Sequence, residues 1–224
     1  ELTQAQTIIQ KQIERFGNNI FKEGAAVKPG GLSIDNSYEF VKLDITSSST
    51  TANVGTILTG ATSGIKAEIL QRVDAIAGDP VTVYVRYVDT SAASITTSTP
   101  RFLAGESLGS GRVVQITNTD VNPAVGKGTR ALTGDSIYFT QGFFVYTESQ
   151  SAIISKYTDD PTTNVGFKII QQVQSVDDNL QLYDNQGSSI NTTAPGADRY
   201  CIKLRLTSDD QLTSDENFIH INTV

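Results

Sequence analysis

The chain has 224 residues, of which 38% are hydrophobic and 18% charged, and its net charge is −7. This composition is typical of a folded but polar protein, and the charge argues against binding to a nucleic-acid backbone, which requires clustered Lys and Arg. The single cysteine, Cys201, excludes an intrachain disulfide and a zinc site built from cysteines. The chain has no methionine and begins with Glu1, so we expect it to be part of a longer molecule.

Residues 1–16 carry apolar side chains spaced three and four residues apart. This spacing places them on one face of a helix and resembles two heptads of a coiled coil. So short a helix is unstable alone in water, and it either folds back on its own domain or pairs with copies of itself. We predict an assembly helix, most simply around a three-fold axis, that uses Leu2, Ala5, Ile9, Ile13 and Phe16. Gly17-Asn18-Asn19 predicts its end.

From Ile20 onward the hydrophobic period changes to two, which predicts β-strands. Residues 20–24 and 26–31 are predicted to form a hairpin, and a second strand pair follows up to Leu43. The Ser/Thr-rich run at 46–53 has almost no hydrophobic residue, which predicts a linker or long loop.

The segment 46–119 is predicted to be an inserted β domain. Its clearest strand, Val81–Val88, is rich in β-branched and aromatic residues. Two predicted hairpins with glycine at their turns, at 54–70 and 102–116, have a similar sequence pattern. Packed around this strand, they would make a small barrel or sandwich.

The main β domain is predicted to comprise residues 17–45 and 120–224. It contains a tight hairpin at Gln141-Gly142 and an alternating strand at 200–206, which points Cys201 away from the core. The overall prediction is a mainly β fold. It consists of a β-sandwich or barrel-like domain with an inserted small β domain and a short N-terminal helix.

Few residues are candidates for catalysis or for metal binding. His220, the only histidine, lies in an apolar alternating run, where a structural role is more common than a Ser-His-Asp triad. The aspartate pairs at 159–160, 177–178 and 209–210 are typical of turns, and a calcium site joining the second pair to Asp184 matches no EF-hand spacing. No apolar run is long enough to span a membrane. We therefore predict no catalytic, cofactor-binding or metal-binding residue and no membrane insertion.

Short motifs on both sides of the 46–119 segment follow one another in the order of a known signature. They lie at 21–24, 38–43, 137–145, 165–170, 182–187 and 194–206. The run Pro195-Gly196-Ala197-Asp198-Arg199 is the most distinctive. This series resembles an uncharacterised domain family found in virion structural proteins of contractile-tailed phages, notably those that infect cyanobacteria. The resemblance covers residues 17–45 and 130–221.

The resemblance implies a structural subunit of a phage tail, in the baseplate or at a tail-fibre attachment, with no catalytic residue. Its partners would be other copies of itself, as a homotrimer, and neighbouring tail proteins. It would be assembled in the host cytoplasm and located in the virion. The alternatives are a receptor- or glycan-binding module, which exposed rings at Tyr84 or Tyr87 would favour, and a depolymerising tailspike enzyme.

Overall fold

The computed structural model describes residues 2–44, 52–76, 78–91, 100–184, 191–196, 198–213 and 217–224. Among these residues, a single α-helix, α1 (Leu2–Ile20), is followed by strands and short 3-10 turns. The strands are β1 (Ala25–Lys28), β2 (Leu32–Lys42), β3 (Ile57–Thr59), β4 (Lys66–Val73), β5 (Thr82–Asp89), β6 (Ser107–Gly109), β7 (Arg112–Val113), β8 (Val125–Thr133), β9 (Ser136–Thr140), β10 (Phe143–Thr147), β11 (Gln150–Ser155), β12 (Asn164–Gln174), β13 (Tyr183–Asp184), β14 (Asn191–Pro195), β15 (Arg199–Ser208) and β16 (Phe218–Thr223). The predicted mainly β chain with one N-terminal helix is confirmed.

Contacts between residues divide the chain into two compact units. Unit 1 comprises Glu1–Ser33, Ala131–Ala152 and Thr162–Val224, and unit 2 comprises Ile34–Arg130 and Ile153–Pro161. This division differs from the predicted one, because β2 pairs with β5 and places Phe40 opposite Tyr84. Residues 34–44 therefore share a sheet with the segment predicted to be a separate insertion. Of the predicted linker at 46–53, only the last two positions are among the described residues.

Unit 2 is built on a six-stranded sheet that curls into a half-barrel, with the order β11-β8-β2-β5-β4-β3. Val41 and Val83 point to one face, where they join the larger core. Phe40 and Tyr84 point to the other face, where the Tyr84 ring stacks on Tyr38 with centroids 4.5 Å apart. The central strands are thus buried on both faces, which explains the continuous apolar pattern of β5.

Two hairpins of unit 2 share one pattern of main-chain hydrogen bonds. The C=O of Thr56 accepts from Ile69 N–H at 2.9 Å, and the C=O of Glu106 accepts from Val114 N–H at 2.9 Å. The glycine before each acceptor has a positive φ, 83° in the first hairpin and 73° in the second. The sequence pattern that occurs at 54–70 and again at 102–116 therefore corresponds to two structurally similar hairpins.

Unit 1 has three layers. The sheet β1-β9-β10 lies between α1 on one face and the sheet β15-β12-β16 on the other. On the inner face, Tyr138 packs edge-on against Phe167 with ring centroids 5.1 Å apart. On the face that α1 covers, Phe139 packs against Gly17 and the Phe21 ring.

Two predictions near α1 are wrong. The helix does not end at Gly17-Asn18-Asn19 but continues to Ile20, because Gly17 keeps a helical conformation there. Residues 20–24 form no strand, and β1 pairs instead with the distant β9. The tight hairpin predicted at Gln141-Gly142 is confirmed, with φ values of 52° and 81°.

Candidate assembly surface

The helix α1 forms because its sequence combines good helix formers, mainly Ala, Gln, Lys, Glu and Arg, with no proline. It contacts its own sheet through a polar face that includes Gln10, Glu14 and Gly17. Lys11 supports this turn, since its Nζ lies 2.7 Å from Glu14 Oε2. The helix therefore docks with the side that hydrophobic periodicity would assign to solvent.

Gly17 sets how closely α1 approaches the sheet. A Cβ at this position would lie 2.2 Å from the Phe139 ring, far inside van der Waals contact. A Cβ on Gly142, in the β9–β10 turn, would lie 2.6 Å from Glu14 Cγ. The two glycines therefore permit the close packing of a polar helix face on an aromatic sheet.

The segment after α1 is tied to the same hairpin. The Phe21 ring lies 5.9 Å from that of Phe139 and 5.6 Å from that of Phe144, centroid to centroid. The Glu23 carboxylate accepts hydrogen bonds from the Thr140 hydroxyl and from the main-chain N–H of Gln141. These contacts hold the end of α1 in a defined place.

The apolar residues of α1 lie on a different face, which remains in solvent. The exposed fractions are 56% for Ile9, 41% for Ile13, 62% for Phe16 and 57% for Ile20. We call these four residues together with Ala5, which is also exposed, the α1 stripe.

At about 100° per residue, the centre of the α1 stripe is about 110° around the helix from the docked face. Four of the five predicted assembly residues belong to it, and the fifth, Leu2, is the first residue of α1. The sequence prediction missed Ile20, because the helix was expected to end before it. The spacing of four residues from Phe16 is the signal that identifies Ile20.

The other candidate residues lie apart from this surface. Cys201 is half-buried in β15 as a free cysteine, with its Sγ 3.8 Å from Gln174 Oε1. His220 is exposed in β16, with its Nε2 3.2 Å from Thr223 Oγ1. Within the described ranges, no group of three His, Cys, Asp or Glu is placed to hold a metal ion.

The aspartate pairs serve local structure. Asp209 opens a 3-10 turn, and its carboxylate accepts from Thr163 Oγ1 at 2.7 Å and from Asn164 N–H at 3.1 Å. These hydrogen bonds hold the pKa of Asp209 below its ordinary value. Asp178 accepts from Ser175 N–H at 3.1 Å within a turn. The Asp178 contact fits the predicted role in a turn, whereas the hydrogen bonds of Asp209 join it to residues that lie 45 and 46 positions earlier in the chain.

The tyrosines considered for glycan binding do not offer free rings. Tyr84 is fully buried, and Tyr87 is half-buried against Phe102 with ring centroids 5.4 Å apart. Burial raises the pKa of both hydroxyls above the ordinary value. Among the described residues, the exposed tyrosine rings lie in unit 1 instead, at Tyr146 and Tyr200.

In the part of the chain that the structure describes, no helix is long and apolar enough to cross a membrane. Compared with known proteins, the chain matches no protein-family model, no curated protein and no solved structure. A functional proposal therefore rests on the surface geometry and on the sequence motifs.

Proposed function

We propose that the chain is a structural subunit of a contractile phage tail, in the baseplate or at a fibre attachment, that assembles with copies of itself through the α1 stripe. The observation that carries this proposal is the exposure of the stripe on a helix already docked by its other face. A helix that served only its own domain would turn its apolar residues towards the sheet.

The exposed area of the stripe is large enough to matter for association. Ile9, Phe16 and Ile20 each expose more than half of their surface. Full burial of such a side chain stabilises by about 1.5–3 kcal/mol, so burying the exposed half contributes roughly 1 kcal/mol per residue. For the three residues in each of three chains, the total is roughly 10 kcal/mol, which offsets part of the entropy cost of the two association steps.

The spacing within the stripe favours copies of the same helix as its partners. Ile9, Ile13, Phe16 and Ile20 follow intervals of four, three and four, which is the a/d repeat of a coiled coil. In this register Ile13 and Ile20 occupy a positions, and Ile9 and Phe16 occupy d positions. Isoleucine at a and d positions, as at Ile13 and Ile9, shifts the preference from two strands to three or four. Gln6, at the preceding a position, is the kind of polar residue that fixes the register.

The tail assignment draws on the family-like motifs of the sequence. The motifs at 137–145, 165–170 and 194–206 fall on the β9–β10 hairpin, on the first half of β12 and on the segment that includes β15. All of these elements belong to unit 1, as does α1. The motif at 38–43 falls instead on β2 in unit 2, so α1 shares its unit with most, not all, of the family-like motifs. The proposed location is the virion, after assembly in the host cytoplasm. Neighbouring tail proteins are its further proposed partners.

Sedimentation velocity of the double variant Ile9→Gln/Ile13→Gln tests the assembly surface. Glutamine is at least as good a helix former as isoleucine, so the substitutions remove the apolar contact without removing the helix. We expect the wild-type chain to sediment as a trimer and the double variant as a monomer.

Ile8→Gln is the matched control. Ile8 is 52% exposed, close to the 56% of Ile9, but it lies about 100° away around the helix. The control variant should remain trimeric. A monomeric wild-type chain, or equal dissociation of both variants, would overturn the assembly surface. The tail assignment is tested separately by mass spectrometry of intact source particles, and it fails if the chain is absent from purified tails.

A further inference from the structure

A groove in unit 1 runs between the edges of two strands and is separate from the α1 stripe. We call it the edge groove. It has a volume of about 240 Å³ and is lined by Phe143–Tyr146 of β10 and by Tyr200 and Ile202 of β15. None of these lining residues is charged. Both β10 and β15 are the outermost strands of their sheets.

The β10 wall presents unpaired main-chain groups. The two-residue turn places Thr140 opposite Phe143 as a hydrogen-bonded pair. By alternation, the N–H and C=O groups of Phe144 and Tyr146 point away from β9 and towards the open edge. The C=O of Phe139, which lies opposite Phe144, agrees with this alternation, because it accepts a hydrogen bond from the residue before β1.

The β15 wall also presents main-chain groups towards its open edge. Gln150 Nε2 donates to Leu204 C=O at 2.8 Å, and Leu206 N–H donates to Gln150 Oε1 at 2.9 Å. These main-chain groups point away from β12. Tyr200 and Ile202 lie four and two residues before Leu204 in the same regular strand, so their N–H and C=O groups point the same way.

Gln150 indicates which chemical group binds at the open edge of β15. Its side-chain amide donates to the C=O of Leu204 and accepts from the N–H of Leu206, two positions later in β15. The peptide groups of a neighbouring strand would form the same kind of hydrogen bonds. The amide satisfies the C=O of Leu204 and the N–H of Leu206, while no hydrogen bond to the outward groups of Tyr200 and Ile202 is made within the described residues. The free part of the edge therefore continues a site that an amide already occupies.

We propose that the edge groove binds an extended, uncharged segment of a neighbouring protein, which adds as a strand beside Tyr200 and Ile202. The apolar residues of β10, among them Phe144 and Tyr146, form the other wall of the groove. Main-chain hydrogen bonds provide the affinity in this mode of recognition, and the apolar walls select uncharged side chains. The neighbour's identity as a tail component rests on the proposed function, but the strand addition itself does not depend on the α1 stripe.

Hydrogen exchange measured by mass spectrometry on the full chain tests this site. The probe is an acetylated and amidated heptapeptide of alternating Val and Thr, because it is uncharged and its main chain can form the hydrogen bonds that provide the affinity. At saturation we expect exchange in segment 199–203 to slow at least tenfold. The same peptide with N-methylated main-chain nitrogens cannot donate these hydrogen bonds and should give no protection.

Ile202→Pro removes the outward N–H of the groove without touching the pairing with β12, and Ile202→Val is its matched control. The proline variant should bind the probe at least tenfold more weakly, and the valine variant should bind like wild type. The proposal is overturned by no protection at 199–203, by equal protection from the N-methylated peptide, or by slow exchange of this segment in the free chain. Protection by an oligosaccharide but not by the peptide would overturn it in favour of glycan binding. Sedimentation velocity of the same samples measures the oligomeric state, and so tests assembly through the α1 stripe independently.

Discussion

Gly17 shows how one residue decides which face of a helix packs. Its missing Cβ lets α1 approach the Phe139 ring, and a Cβ would lie 2.2 Å from that ring. Sequence patterns assigned Gly17 to the helix end, because glycine is common there and its packing partner is 122 residues away in the chain. Contacts of this kind cannot be inferred from local spacing.

Gly17→Ala should destabilise the chain. Alanine gains roughly 1 kcal/mol of helix propensity, but overpacking against a buried ring costs about 1–3 kcal/mol and requires α1 to shift. We expect a net loss of about 1 kcal/mol in the free energy of unfolding, measured with urea. Asn18→Ala, on an exposed position of the same turn, is the control and should be neutral or stabilising. A stabilised Gly17→Ala would show that the helix does not pack closely here.

Asp79 should make the stability of unit 2 dependent on pH in the acid range. Its Oδ2 accepts from Lys156 Nζ at 2.7 Å, and its Oδ1 accepts from the Tyr157 hydroxyl at 2.5 Å. Burial raises the pKa of Asp79, but the hydrogen bonds from Lys156 and Tyr157 outweigh this and hold the pKa below its ordinary value. The ionised form is therefore bound more tightly in the folded state than in the unfolded state.

Asp79→Asn should lower stability by about 2 kcal/mol at neutral pH, because hydrogen bonds to a charged acceptor are lost. The stabilisation is fully present above the unfolded-state pKa of about 3.9 and is lost as pH falls through the lower folded-state pKa. Urea titrations from pH 7 to pH 2 should therefore show the wild-type and variant curves converging below about pH 4. Asp74→Asn, at a side chain 78% exposed, serves as control. A gap that stays constant down to pH 2 would contradict this account.

At the scale of elements, the two similar hairpins of unit 2 are joined by one buried carboxylate. Glu106 is 4% exposed. Its Oε1 accepts from the N–H of Thr62 at 3.0 Å and from both the N–H and the hydroxyl of Ser63 at 2.7 Å, while its Oε2 accepts from Leu103 N–H at 2.8 Å. One side chain of the second hairpin thus fixes the turn of the first.

Glu106→Gln should lower the free energy of unfolding by about 2–3 kcal/mol. The amide nitrogen of glutamine cannot accept a hydrogen bond, so the donors that face it lose their acceptor. The free energy of unfolding in urea measures this loss. Glu68→Gln is the comparison, since Glu68 forms a surface ion pair with Arg86 and its loss should cost less than about 1 kcal/mol. Equal effects of the two substitutions would show that the carboxylate does not join the hairpins.

Elements with a strong local signal could be predicted from the sequence. The 3–4 spacing identified α1, the β-branched run identified β5, and Gln141-Gly142 identified the β9–β10 turn. Strand partners were not predictable in the same way. The pairing of β5 with β2 and of β1 with β9 depends on contacts between residues at least 40 positions apart, which no period in either strand encodes.

At the scale of the whole molecule, the chain is a two-unit β structure that carries an unpartnered apolar helix face. The helix and its stripe could be predicted from the sequence, but the exposure of the stripe could not. That exposure follows from Gly17 and Gly142, which let the polar face dock and leave the apolar face in solvent. The central claim of the proposed function is that this apolar face binds the same face of other copies.

Cysteine cross-linking tests this claim most directly. In a Cys201→Ser background, Ile13→Cys places a thiol at an a position, where copies of a parallel bundle meet within disulfide distance. Ile8→Cys places a similarly exposed thiol off the stripe. Mild oxidation should give covalent dimers of the Ile13→Cys chain that are at least tenfold more abundant than those of the Ile8→Cys chain. Equal cross-linking at the two positions, or none at Ile13→Cys, would contradict assembly through the α1 stripe.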